Sequence, residues 1–255
     1  MSRPFILITN DDGYSAPGIQ ALATAFEQVA DVAVVAPAGE QSGVGRHITL
    51  TRPLRASVMG QMRWTVDGTP TDCVYLALQA LLDRRPDLVV SGINRGPNLG
   101  EDVLYSGTVA GAMEGASSGV PSMALSLAYG DEMNYEPAAA FAVDLAQYLL
   151  TSDWPSSTVL NVNVPDTGER LITGYRWTRG GLRDYRRQVT VKQDPRGNAY
   201  YWIGGQGLGH VSLPGSDCDA IDQGHATLTP LCLEMTDFSC LEANTTTMVP
   251  GYTLV

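Results

Sequence analysis

Short, nearly unbroken apolar runs alternate with helix-like segments through the first half of the chain, and this alternation restricts the fold more than any other feature. A strand that is apolar on both faces must be covered on both sides, as in a parallel sheet wrapped by crossover helices. The runs predict strands over Phe5 to Thr9, Val32 to Ala36, Leu88 to Ser91, Ser122 to Ser126 and Val159 to Val164. Between them, Ile19, Leu22, Ala23, Phe26 and Val29 share one helical face, and Ala138 to Leu150 has helix-favouring composition after the breaker Pro137. Thr69-Pro70-Thr71-Asp72 opens a further helix with a capping-box pattern: threonine at the cap, proline at the first position, and an acid two residues later. With 44% hydrophobic residues in 255, there is ample material for a buried core.

The pattern changes after about residue 170. Gln188 to Gln193 and Ala199 to Ile203 are strand-like and flank the turn-forming Asp194-Pro195-Arg196-Gly197-Asn198, which predicts an antiparallel hairpin. Its arm Tyr200-Tyr201-Trp202 carries more aromatic surface than one isolated hairpin buries, so a second subunit is its expected partner and a homo-oligomer the expected state. Ser216 is placed to cap a short helix over Asp217 to Gln223, and His225 to Leu231 alternates as a returning strand. The expectation is an α/β fold, a Rossmann-like three-layer sandwich with a mostly parallel sheet. It comprises a single domain over 1–255, with a C-terminal β-hairpin extension over 170–215 for oligomerisation.

Charge and rare residues exclude several functions. Sixteen basic residues against 27 acidic ones give a net charge of -11, which opposes a long nucleic acid or an anionic membrane surface as partner. Lys192 is the sole lysine, far from any glycine-rich loop, so Walker-type ATP binding and pyridoxal Schiff-base chemistry are excluded. Cys73, Cys218, Cys232 and Cys240 form neither a C-x-x-C pair nor a disulfide-dense pattern. The opening MSRPFILITNDDG is too short an apolar stretch for a signal peptide or a membrane span, so the cytoplasm is the expected compartment. Asn244-Thr245-Thr246 fits a glycosylation pattern but reads as a polar C-terminal loop.

Chemistry concentrates where the predicted strands end. Asn10-Asp11-Asp12-Gly13 follows the first strand directly, at the edge where open α/β sheets bind ligands. Adjacent carboxylates repel, and a hard cation is their natural partner; a turn with helix-capping acids is the competing interpretation. The second strand leads into Pro37-Ala38-Gly39-Glu40-Gln41-Ser42-Gly43-Val44-Gly45-Arg46, a small-residue loop able to bring Ser42 towards the carboxylates. Gly43-Val44-Gly45 imitates part of a dinucleotide fingerprint, but Ile48 replaces the third glycine and no helix pattern begins there. The third loop, Ser91 to Asp102, offers Asn94 and Asn98, whose amide oxygens suit a hard metal, and Tyr105-Ser106-Gly107-Thr108 then opens a helix whose exposed N–H groups suit a phosphate. Gly115-Ala116-Ser117-Ser118-Gly119 matches a nucleophile elbow formally, yet a helical segment precedes its serine where that motif needs a strand. His47, His210 and His225 are scattered without ligand spacing.

Several blocks together identify a resemblance. ILITNDDG, APAGEQSG, GTPTDCVYLAL, SGINRGPNLGEDVLYSGTVAGAMEG, DPRGNAYYWIGG and GSDCDAIDQGHATLTPL, in this order across almost the whole chain, resemble the stationary-phase survival protein E (SurE) nucleotidases. Glu234, where an aspartate is usual, and His225, where a tyrosine is common, depart from that pattern. The resemblance implies hydrolysis of nucleoside 5'- and 3'-monophosphates, with some action on short polyphosphate, by a metal-dependent homodimer or homotetramer. It implies one divalent cation per subunit on Asp11, Asp12, Ser42 and Asn94, with Gly43, Asn98, Ser106, Gly107 and Thr108 facing the phosphate. An oxygen-only ligand set suits Mg2+ or Mn2+ and disfavours Zn2+. Asp11 or Asp12 could position or deprotonate a water, or form an aspartyl-phosphate; the sequence leaves both open. A non-catalytic nucleotide- or phosphate-binding regulator would use the same pocket.

Overall fold

A computed structural model of the protein describes residues 3–130, 133–170, 172, 174–184, 189–203 and 209–245. In chain order the strands of the first part are β1 (Phe5–Thr9), β2 (Asp31–Pro37), β3 (Ala56–Gly60), β4 (Arg63–Val66), β5 (Leu88–Arg95), β6 (Ser122–Leu127) and β7 (Thr158–Val164). The helices between them are α1 (Pro17–Glu27), α2 (Pro70–Leu76), α3 (Gly107–Ser117) and α4 (Glu136–Thr151). There follow β8 (Tyr175–Trp177), β9 (Leu182–Asp184), β10 (Val189–Gln193), β11 (Ala199–Ile203), β12 (Gly209–Val211), α5 (Asp217–Asp222), β13 (Ala226–Cys232) and α6 (Phe238–Asn244).

Nine strands form one sheet in the order β3-β4-β2-β1-β5-β6-β7-β13-β8. The run β4-β2-β1-β5-β6-β7 is parallel, while β3 and β13 join antiparallel to β4 and β7. Strand periodicity sends alternate residues to opposite faces, and both faces are covered. Ile6, Ile8, Val34 and Val90 pack with Ile19, Leu22 and Phe26 of α1 and Leu145 and Leu149 of α4. Leu7, Val35 and Val89 pack with Cys73 and Val74 of α2 on the other side, and Val109, Ala112 and Ala116 of α3 meet Ala124 and Val159 there. The result is the expected three-layer α/β sandwich.

Two features of the main sheet differ from the sequence-based expectation. The apolar run of the third strand stops near Ser91, but β5 continues to Arg95, because Asn94 and Arg95 pair with Ser126 and Leu127 of β6 after a shift in register. Polar residues remain in the ladder since this strand end meets the site instead of a helix. The antiparallel partner strands β3 and β4 are not expected from the sequence: β3 shows no apolar alternation and is exposed throughout at the sheet edge, and β4 is only four residues long.

The hairpin forms as expected, with Val189 opposite Ile203 and Gln193 opposite Ala199; Gln188 lies outside the described residues, as does Thr246. Asp194 organises its turn by accepting from the Arg196 and Asn198 backbone N–H groups at 2.8 and 2.9 Å. Every described residue of β10 and β11 is exposed.

The capping box is present in full. Asp72 N–H donates to Thr69 Oγ1 at 3.2 Å and Thr69 N–H returns to Asp72 Oδ2 at 2.9 Å. Asp72 also accepts from the Thr49 N–H at 2.8 Å and the Thr49 hydroxyl at 2.7 Å, and Thr69 Oγ1 donates to the His47 carbonyl at 2.7 Å. The cap of α2 thus pins the far end of the loop that carries Ser42. Burial pushes the Asp72 carboxyl up, but the hydrogen bonds from Thr49 and Thr69 outweigh it and hold the group below its ordinary value. A depressed folded-state value stabilises above the unfolded pKa, and the contribution is lost as pH falls through the folded one. Asp72→Asn should cost about 1–3 kcal/mol at neutral pH in denaturant melts, with the gap from wild type narrowing below about pH 4; a gap constant from pH 7 to pH 3 would contradict this role.

Candidate active site

The carboxyl ends of β1, β2 and β5 and the start of α3 converge on one cleft, as topology requires of parallel neighbours. β1 ends in Asn10-Asp11-Asp12-Gly13, a turn closed by Asn10 Nδ2 donating to the Gly13 carbonyl at 2.9 Å. The Gln41 N–H donates to the Asp11 carbonyl at 2.8 Å, which ties this turn to the loop after β2.

Asp11 is only 4% exposed. The Thr108 hydroxyl donates to Asp11 Oδ1 and the Thr108 backbone N–H reinforces it, so the carboxylate sits against the N-terminus of α3, where the helix dipole favours negative charge. Gly107 permits this approach: a Cβ there would lie 2.8 Å from Asp11 Cβ and 3.0 Å from Oδ2. Burial dominates, and with the neighbouring Asp12 charge it pushes the Asp11 carboxyl up to about 6 despite the Thr108 hydrogen bonds. Asp12 is raised as well, first by burial and then by Glu40, against the Arg95 backbone N–H that donates to its Oδ2 at 3.0 Å and the Arg95 guanidinium.

Ser42 and Asn94 bring neutral oxygens to the cleft that Asp11 borders. Ser42 Oγ donates to Glu40 Oε1 at 2.9 Å, leaving its lone pairs as acceptors. Asn94 Nδ2 donates to the Gly96 carbonyl at 2.8 Å, which leaves the amide oxygen as its free end. Asp11, Ser42, Gly43, Asn94, Asn98 and Ser106 border a cleft of about 560 Å³. Asp12, Gly107 and Thr108 do not border it; Gly107 and Thr108 instead support Asp11 from behind. The Ser106 hydroxyl caps α3 by accepting from the Val109 N–H at 3.1 Å.

Asn98 is buried and held from four sides. Its N–H donates to Asn163 Oδ1 at 2.7 Å and its Nδ2 to Ser126 Oγ at 2.8 Å, while its carbonyl accepts from Asn161 and Asn163 at 2.9 and 3.0 Å. The sequence-based site omitted Ser126, Asn161 and Asn163, although alternating asparagines inside the apolar strand β7 are a legible signal of a polar network beneath a site. Asp217 was also omitted. Fully buried, it accepts from the N–H groups of Gly100 at 2.9 Å and of Gly181 and Cys218 at 2.8 Å each. It thereby fastens the single-turn 3-10 segment Gly100–Leu104 to the C-terminal part of the chain, and the nearby Asp102–Arg183 ion pair at 3.0 Å adds a second tie.

The competing motifs are accounted for. Ser117 is the last residue of α3 and not a strand-to-helix elbow. His210 contacts Asp219 at 3.0 Å and Asp222 at 3.6 Å, and among the described residues no three His, Cys, Asp or Glu side chains form a metal-holding group.

Fold and cleft define an α/β protein of the open parallel-sheet type with an oxygen-lined site at its strand ends. The family model described as "Survival protein SurE" matches residues 6–187, and the chain belongs to the SurE family. It is 49% identical over 237 residues to the 5'-nucleotidase SurE of Geotalea daltonii, covering 92% of this chain and 96% of that one. It is 50% identical over 250 residues to the 5'-nucleotidase SurE of an Anaeromyxobacter species, covering 97% of each. The crystal structure of the SurE protein from Aquifex aeolicus superposes with a TM-score of 0.85 at 42% identity, over 94% of this chain and 98% of that one.

Proposed function

We propose that the protein is a divalent-metal-dependent phosphomonoesterase that hydrolyses nucleoside 5'- and 3'-monophosphates to nucleoside and phosphate, and short-chain polyphosphate in the same cleft. The relatives' shared name supports the nucleotidase reading. The observation that carries the chemistry is the adjacent Asp11–Asp12 pair at the strand ends, both carboxyls raised by burial despite the exposed Arg95 guanidinium near Asp12. Such a pair is costly unless a cation neutralises it.

Asp11, Asp12, Ser42 and Asn94 fit that role as the holders of a hard cation, Mg2+ or Mn2+, one per subunit. When bound, the cation supplies positive charge against phosphate oxygens. The chain's own residues do the rest. Gly43, Asn98 and Ser106 line the cleft for the phosphate, while Gly107 and Thr108, also expected at the phosphate, back Asp11, with Thr108 fixing its orientation. One carboxylate of the pair orients the attacking water and takes its proton, and the leaving nucleoside oxygen regains one from solvent.

The same reading makes the protein a cytoplasmic homodimer or homotetramer. Its four cysteines are unpaired, and no helix among the described residues is long and apolar enough to cross a membrane. The hairpin β10–β11 exposes Tyr201 and Trp202 by 65% and 63%, more aromatic surface than a lone hairpin retains in water.

Phosphate release from a panel of nucleoside monophosphates should require Mn2+ or Mg2+, be abolished by chelation and return on adding metal. Full activity in chelator-treated protein would contradict the metal, and nucleotide binding without phosphate release would identify a binding protein instead. Deleting residues 189–203 should lower the mass measured by light scattering; an unchanged oligomer would remove the hairpin from the interface.

A further inference from the structure

The cleft is much larger than a phosphate needs, and part of its border is aromatic. Besides Asp11 it is bordered by Arg95, Gly96, Tyr105 and Tyr129, and the two tyrosines are 68% and 69% exposed. Exposed tyrosines scattered over a surface mean little; these two share one cleft with Asp11.

Tyr129 also has a built seat. It follows β6 by two residues and lies across the end of neighbouring β5, with its phenolic end on Gly96. A Cβ on Gly96 would stand 2.6 Å from both Cζ and Oη of the Tyr129 ring. The backbone there has a φ of +113°, a conformation open to glycine and strained for other residues. Gly96 is also the residue whose carbonyl accepts from the Asn94 side chain. One glycine thus both seats the Tyr129 ring and holds the Asn94 side chain that borders the same cleft.

We infer that Tyr129, seated on Gly96, is the platform on which the nucleobase of the substrate stacks, making it a specificity-determining residue for nucleotides over other phosphate monoesters. The inference rests on the nucleotidase reading. An aromatic face accepts any base, because every base has a π surface, so the platform selects for the presence of a base and not for its identity. It leaves the phosphate chemistry to the residues at the other end.

The test compares wild type, Tyr129→Phe and Tyr129→Ala on a nucleoside 5'-monophosphate and on ribose 5-phosphate, which lacks the base. Tyr129→Ala should lose about tenfold or more in kcat/KM for the nucleotide, mainly through KM, and stay within about twofold on ribose 5-phosphate. Tyr129→Phe should keep both activities. Equal losses on the two substrates, or no loss on the nucleotide, would overturn the platform. Calorimetric titration of the same proteins with the nucleotide in metal-free buffer reads the platform without turnover: weaker binding to Tyr129→Ala supports it and equal binding overturns it. A wild type that binds the nucleotide through Tyr129 but releases no phosphate would keep the platform and sink the nucleotidase reading, so the two failures are distinguishable.

Discussion

Two carboxylates adjoin at the end of the first strand, and one of them is buried against the start of a helix. Much of the surrounding structure serves that arrangement. The helix dipole and the Thr108 hydroxyl stabilise Asp11 as an anion, while burial and Asp12 act against it strongly enough to push the group up to about 6. Gly107 gives the close approach, and α3 can present its N-terminus there only because β5 and β6, on either side of it in sequence, are parallel neighbours in the sheet.

The loops that surround the pair are fixed by polar groups buried far from it. Asp72 pins the loop bearing Ser42 through Thr49 and the capping box. Asn161, Asn163 and Ser126 grip Asn98 from the next two strands. Asp217 holds Gly100 from the C-terminal part of the chain. In each case a side chain satisfies backbone or amide groups of a loop.

The central layers of the fold were legible because both-faces burial writes itself as uninterrupted apolar runs, and Phe5 to Thr9 and Val159 to Val164 are such runs. β3 was not, since an exposed edge strand has no apolar alternation to display; nor was the continuation of β5 through Asn94, where pairing with β6 overrides polar composition. Of the residues that the sequence proposes for the site, Asp11, Ser42, Asn94, Asn98 and Ser106 border one cleft. Asn161 and Asn163 do alternate within β7, but nothing local names distant Asn98 as their partner, and a contact between residues 117 positions apart, as from Asp217 to Gly100, leaves no local pattern at all.

The most direct test of the carboxylate pair as a cation holder is the thermal stability of wild type and Asp12→Asn with and without Mn2+. The substitution keeps the side-chain shape and an acceptor for the Arg95 N–H while removing one of the two adjoining charges. In metal-free protein near neutral pH the variant should be at least as stable as wild type, because repulsion is relieved. With Mn2+ at about a hundred times its Kd, wild type should gain about 2.7 kcal/mol, or roughly 5 to 10 °C in Tm, and the variant much less. A variant that is less stable without metal and shows the full Mn2+ shift would contradict the account, leaving Asp12 a turn residue and the pair no metal site.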